Sequence, residues 1–86
     1  PACFALAKAY ERGSNGLKKD NALALKYLQL AADGGHAEAC YRLSRSFRWG
    51  EKGLEKNEQE GQYWMEMAAF YDPEEYAKQV SHLYNF

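Results

Sequence analysis

The chain repeats itself at a fixed period of thirty-seven residues. Pro1–Asp33 superposes on Glu38–Phe70 without a gap, and nine positions are identical: Ala2/Ala39, Cys3/Cys40, Leu6/Leu43, Gly13/Gly50, Gly16/Gly53, Leu17/Leu54, Lys19/Lys56, Ala31/Ala68 and Ala32/Ala69. Like replaces like at Phe4/Tyr41, Lys8/Arg45, Tyr10/Phe47, Asp20/Asn57 and Tyr27/Trp64. A third copy begins at the same offset, with Val80 under Leu43 and Tyr84 under Phe47, and stops after Phe86. A period between about twenty and fifty residues marks a repeat array, in which each unit buries its apolar face by stacking on its neighbour. Arrays of this kind make extended binding surfaces more often than catalytic pockets.

Within each unit the apolar spacing is helical. Cys40, Leu43 and Phe47 fall at i, i+3 and i+7, and Leu6 and Tyr10 are expected to do the same inward-facing work in the first unit. Gly13-Ser-Asn-Gly16 and Gly50-Glu-Lys-Gly53 break these helices, the first Gly standing where a left-handed C-cap is wanted. Leu17 and Leu54 follow and are expected to plug the gap inside a helical hairpin. Asp20 and Asn57 are N-caps for the second helices, and Glu60 three residues after Asn57 approaches a capping box. Those helices present Ala24, Tyr27, Leu28 and Ala31 in one unit, and Gly61, Trp64, Met65 and Ala68 in the other. The small residue before each aromatic permits close helix approach. Asp33-Gly34-Gly35 ends the first hairpin. Asp72-Pro73-Glu74-Glu75 starts a last helix, with Pro at its first position and acidic residues in its first turn. The pattern predicts helices over about 2–12, 21–33, 37–49, 58–70 and 73–84.

Composition narrows the function classes. A chain of 86 residues is one small domain, burying only about 60–65% of its unfolded surface. Seven Tyr, four Phe and two Trp supply the large rings that can close helix interfaces. The net charge of −1 gives no global attraction to nucleic acid or an anionic membrane. No apolar run approaches the ~20 residues of a membrane span, and no signal-peptide pattern is present. The two cysteines sit one period apart, on helices expected ~9–10 Å from each other. A disulfide needs Cα atoms within about 7 Å, so two free, buried thiols are expected, which favours a reducing compartment.

The run Ala2-x-x-x-Leu6-Ala7-x-x-Tyr10-x-x-Gly13-x-x-Gly16-Leu17-x-x-Asp20-x-x-x-Ala24-x-x-Tyr27-x-x-x-Ala31-Ala32 resembles the Sel1-like repeat, a relative of the tetratricopeptide repeat. The resemblance covers two units and a leading helix. It departs from the usual pattern in three places. Ala7 and Ser44 replace a Gly, which suggests a slightly wider helix pair. The turn is one residue longer. Ala32 and Ala69 stand where a disulfide-stapled subfamily places its second cysteine, so that variant is not implied. The resemblance implies an all-α fold, a right-handed α/α superhelix acting as scaffold or adaptor, with no shared catalytic residues. The expected organisation is one domain over 1–86: a repeat over about 1–35, a second over about 36–72 and a terminal helix over about 73–86. With only two complete units, a longer parent array, a covering partner or self-association through the array ends is expected.

The sharpest surface feature is Arg42-Leu-Ser-Arg45-Ser-Phe-Arg48-Trp49. With Leu43 and Phe47 inward, Arg42, Arg45 and Trp49 share a helical face. Lys8 and Arg12 lie beside it in the preceding unit and His82 in the following helix. By the repeat geometry this is the concave face. It reads as a basic groove for an acidic peptide or other protein segment, with Arg as bidentate donor and Trp as anchor. The competing reading is a solvated face with its arginines paired to nearby Glu. An inhibitor or immunity-type protein covering a toxin or enzyme is the alternative use of the same face. A nucleic-acid partner is not expected from so neutral a chain, nor is a membrane.

Other chemistry is thin. His36-x-x-x-Cys40 has helical metal-pair spacing, yet zinc wants three or four ligands and only Cys3 and His82 remain as soft candidates. No metal or cofactor is expected. Glu74 and Glu75 read as helix-dipole partners rather than catalytic carboxylates. No nucleophile motif is present, which leaves a thiol-dependent hydrolase as the remote enzymatic alternative. The run from Glu51 to Glu60 reads as a solvated turn and helix start.

Overall fold

A computed structural model describes the backbone of residues 2–14 and 16–84, with side chains as far as Val80. The described residues are all-helical: α1 Ala2–Arg12, α2 Asn21–Asp33, α3 Ala37–Trp49, α4 Glu58–Tyr71 and α5 Pro73–Tyr84. These are the helices that periodicity and caps predict. Each packs on its neighbours in the chain, giving two helix–turn–helix units and a final helix in a body of 43 × 26 × 16 Å.

The two hairpins are built by the same bonds one period apart. Gly13 and Gly50 take the left-handed conformation, at φ 70° and 67°, which a residue without Cβ adopts without strain. The amides of Ser14 and Glu51 return to the carbonyls of Ala9 and Ser46. Asp20 Oδ1 accepts from the Leu23 amide and Asn57 Oδ1 from the Glu60 amide, both at 3.1 Å. The N–H groups of these caps donate across the hairpin, Asp20 to the Tyr10 carbonyl at 2.9 Å and Asn57 to the Phe47 carbonyl at 2.7 Å. That cross-hairpin bond takes the donor Glu60 would need, so the capping box stays half made. Asp72 Oδ1 caps α5 through the Glu75 amide.

The core runs along the inward faces: Phe4 and Ala7 of α1; Leu28, Ala31 and Ala32 of α2; Ala39, Cys40 and Leu43 of α3; Trp64 and Ala68 of α4. Tyr10 stacks on Tyr27, centroids 5.8 Å apart, inside the first hairpin. Leu17 and Leu54 are half-buried in the turns. The Gly-to-Ser departure at position 44 is accommodated rather than left as a gap. Ser44 is fully buried, and its hydroxyl donates to the Gly61 carbonyl at 2.7 Å. Gly61 supplies the room, since a Cβ there would stand 2.5 Å from Arg48 Cγ and 3.2 Å from the Ser44 carbonyl oxygen.

Two core expectations are corrected. Leu6 is 36% exposed whereas its equivalent Leu43 is 1% exposed. Leu43 lies on a helix flanked by α2 and α4, while α1 packs principally on α2. For the same reason Cys3 is only partly buried, and Phe4 and Ala7 take the inward positions. Both cysteines are free, as their spacing requires. The expected packing of Tyr84, and Phe86, lie outside the described side chains.

Candidate protein-binding face

The end of α1, the turn before α2, the outer side of α3 and the turn after it surround an open cavity of about 460 Å³. Five cationic side chains line it, Arg12, Lys19, Arg42, Arg45 and Lys52, against the carboxylates of Glu11 and Glu51. Glu11 joins the two repeats. One of its oxygens lies 3.8 Å from Arg42 Nη1 and the other 3.4 Å from Lys52 Nζ. Arg42 also donates through Nε and Nη2 to Glu38 Oε2, both at 3.3 Å, and sits over the Phe4 ring.

Lys52 is the residue that sequence reasoning missed. Its side chain is only 10% exposed, and its φ of 57° is unusual for a residue with a Cβ. The ammonium donates to Ser46 Oγ at 3.2 Å, and the buried Ser46 hydroxyl donates in turn to the Arg42 carbonyl at 3.0 Å. The turn after α3 is therefore anchored and not simply solvated. Its partner at the same place in the first unit is Asn15, so the period itself carries no signal of a buried lysine.

The expected stripe divides. Arg12 and Arg45 are exposed on the cavity with no ion pair among the described residues. Lys19 is in the same state. Arg42 is half-buried and already paired. Lys8 lies outside the cavity, its ammonium 5.4 Å from the Phe4 ring centre. Trp49 is 63% exposed and packs under Arg48 rather than over the cavity, because the chain turns at Gly50 and brings Glu51 and Lys52 there instead. The His82 side chain lies outside the described residues.

Two hairpins with the same glycines, caps and cross-hairpin bonds agree with a family comparison: the Sel1 repeat model matches residues 1–36 and 37–69. The chain belongs to the Sel1 repeat family. No curated protein and no solved structure matches it. Sel1 repeats generally serve as protein–protein interaction modules and are typically non-enzymatic scaffolds. In these Sel1 repeats His36 and Cys40, the pair with helical metal-ligand spacing, are committed to structure. His36 Nδ1 accepts from the Ala39 amide at 3.2 Å, capping α3, while its ring stacks on Phe4 with centroids 4.3 Å apart. Cys40 is fully buried and its thiol points to the Ala32 carbonyl at 3.7 Å. Burial first, and the negative charge of Asp33 second, push this thiol up to about 11, so it stays protonated and a poor nucleophile at neutral pH. Among the described residues no helix is long and apolar enough to cross a membrane, and no group of three metal-ligating side chains gathers.

Proposed function

We propose that this Sel1 domain is a non-catalytic adaptor that takes an acidic segment of a partner protein on the concave face lined by α1 and α3. Arg12 and Arg45 make the primary contacts with Lys19 beside them, and Arg42 is held in place by Glu11 and Glu38. Lys8, Trp49 and His82 flank this surface. The observation that carries the reading is the cavity between the repeats, where cations outnumber carboxylates and Arg12, Lys19 and Arg45 have no ion pair among the described residues. Guanidinium groups so placed can bind carboxylates in two-bond geometry.

Titration of a fluorescent six-glutamate peptide tests the proposal. The wild-type chain binds it with an affinity that falls as salt screens the contacts. The Arg12→Glu/Arg45→Glu variant loses binding while its helical circular dichroism is unchanged, both residues being exposed. Equal affinity in the two proteins would refute the basic-face reading.

A further inference from the structure

The basic cavity is one end of a longer trough. A second cavity, of about 350 Å³, runs along α3 and α5 and shares Arg42 and Arg45 with the first. A third, of about 520 Å³, opens at the start of α3 and α5 and shares Glu38, Glu75 and Tyr76 with the second. The three form a continuous path whose charge changes sign. Arg12 and Lys19 stand at one end and Asp72 at the other, with Arg45 on the basic side and Glu38 and Glu75 on the acidic side of the cavity between them. Between them Tyr41 and Tyr76 stack with centroids 5.2 Å apart, and Arg45 lies 6.0 Å from the Tyr41 ring centre.

Acidic residues at helix starts and basic ones at helix ends offset helix dipoles, and that accounts for part of the order. It does not account for the trough, nor for the fact that the two ends do not neutralise each other. Glu38 pairs with Arg42, while Arg45 and Glu75, which both line the middle cavity, have no ion-pair partner among the described residues. Burial and the charges of Glu38, Glu75 and Asp72 together raise the Tyr76 phenol above its ordinary range, which agrees with an electronegative end.

We infer that the trough takes a linear protein segment of ordered charge, with acidic residues over Arg12, Lys19 and Arg45, an aromatic or flat side chain over the Tyr41–Tyr76 pair, and basic residues over Glu38, Asp72 and Glu75. This rests on the proposed protein-binding role and assigns the partner's charge order. The path crosses two interhelix spacings of ~9–10 Å while descending about 10 Å along α3. An extended chain at ~3.3 Å per residue covers that distance with six or seven residues. Stacked aromatic rings are suited to anchor such a segment, and the charged ends set its register.

Three seven-residue peptides with a central tyrosine test the inference by fluorescence anisotropy at one ionic strength. One carries three glutamates then three lysines, one has the same composition with the charges alternating, and one has six glutamates. The segregated peptide binds about tenfold tighter than either of the others, a difference of about 1.4 kcal/mol. Glu75→Lys reverses the preference towards the all-acidic peptide, and its exposed position leaves the fold intact. If the all-acidic peptide binds wild-type protein as tightly as the segregated one, the charge-order inference fails and the basic-face reading stands. Equal binding of the alternating peptide also overturns the inference. If Arg45→Glu leaves the binding of all three peptides unchanged, or none of them binds, both readings fail.

Discussion

The first and second repeats share their glycines, caps and turn bonds, yet equivalent side chains live in different surroundings. Leu43 and Cys40 are sealed between α2 and α4, while Leu6 is exposed and Cys3 only partly covered. The residue types are the same. What differs is the number of helices that flank α1 and α3. Burial in a stacked array is thus a property of position in the stack, and a chemical property follows it: the sealed Cys40 acquires a raised pKa.

The strongest way to break this comparison is to truncate the paired leucines. Leu43→Ala is expected to cost about 2–5 kcal/mol, the range for a large side chain removed from a closed core. Leu6→Ala should cost about 1–2 kcal/mol, because the partly covered leucine has less burial to lose and leaves no closed cavity. Urea unfolding of both variants measures the gap; equal losses would mean that α1 is covered as fully as α3.

The sealed cysteine of the second repeat carries a pH signature. The Cys40 thiol titrates at about 11 when folded and near 9 when unfolded. Stability from its protonated state is therefore complete below about pH 9 and is lost as pH rises towards 11. By linkage the loss amounts to about 2–3 kcal/mol. Cys40→Ala should flatten the fall in melting temperature across that window. A slope unchanged by Cys40→Ala would contradict the burial account.

The smallest contrast lies at the close helix approach. Gly61→Ala gains about 1 kcal/mol of helix propensity but drives a methyl against Arg48 and the Ser44 carbonyl. Arg48 can swing aside, whereas the Ser44 backbone cannot, and the 2.7 Å Ser44–Gly61 bond is strained with it. A net loss of about 1 kcal/mol is expected. Thermal melting decides the sign, and a stabilised variant would show that α3 and α4 can separate freely.

These contrasts also mark what could be read from sequence. Helix ranges, left-handed glycines and N-caps were legible because each is settled within a few residues: Gly50 by its own φ, Asp20 and Asn57 by amides three positions on. The family was legible from the spacing of the same residues. Exposure of Leu6 was not, because the period assigns it the surroundings of Leu43. The candidate face was legible in part. Helical angle alone put Arg42, Arg45 and Trp49 together, but the cavity is shaped by the turn after Gly50, which substitutes Lys52 for Trp49. Lys52 itself is held by Glu11 of the other repeat, a contact across forty-one positions that no local pattern encodes. The Tyr41–Tyr76 pair escaped for a similar reason, since the repeat offset sets Tyr76 under Ala39 and not opposite Tyr41.

The central claim is that the α1–α3 face, and not the opposite side formed by α2 and α4, receives the partner. Nitrogen-15 chemical-shift mapping tests it directly on a chain of this size, with the charge-segregated peptide as ligand. Shifts concentrated at Arg12, Lys19, Tyr41, Arg45, Lys52 and Tyr76 are expected, with α2 and α4 unmoved beyond their turns. Shifts centred instead on the exposed Leu30, Tyr63 and Phe70 would contradict the account.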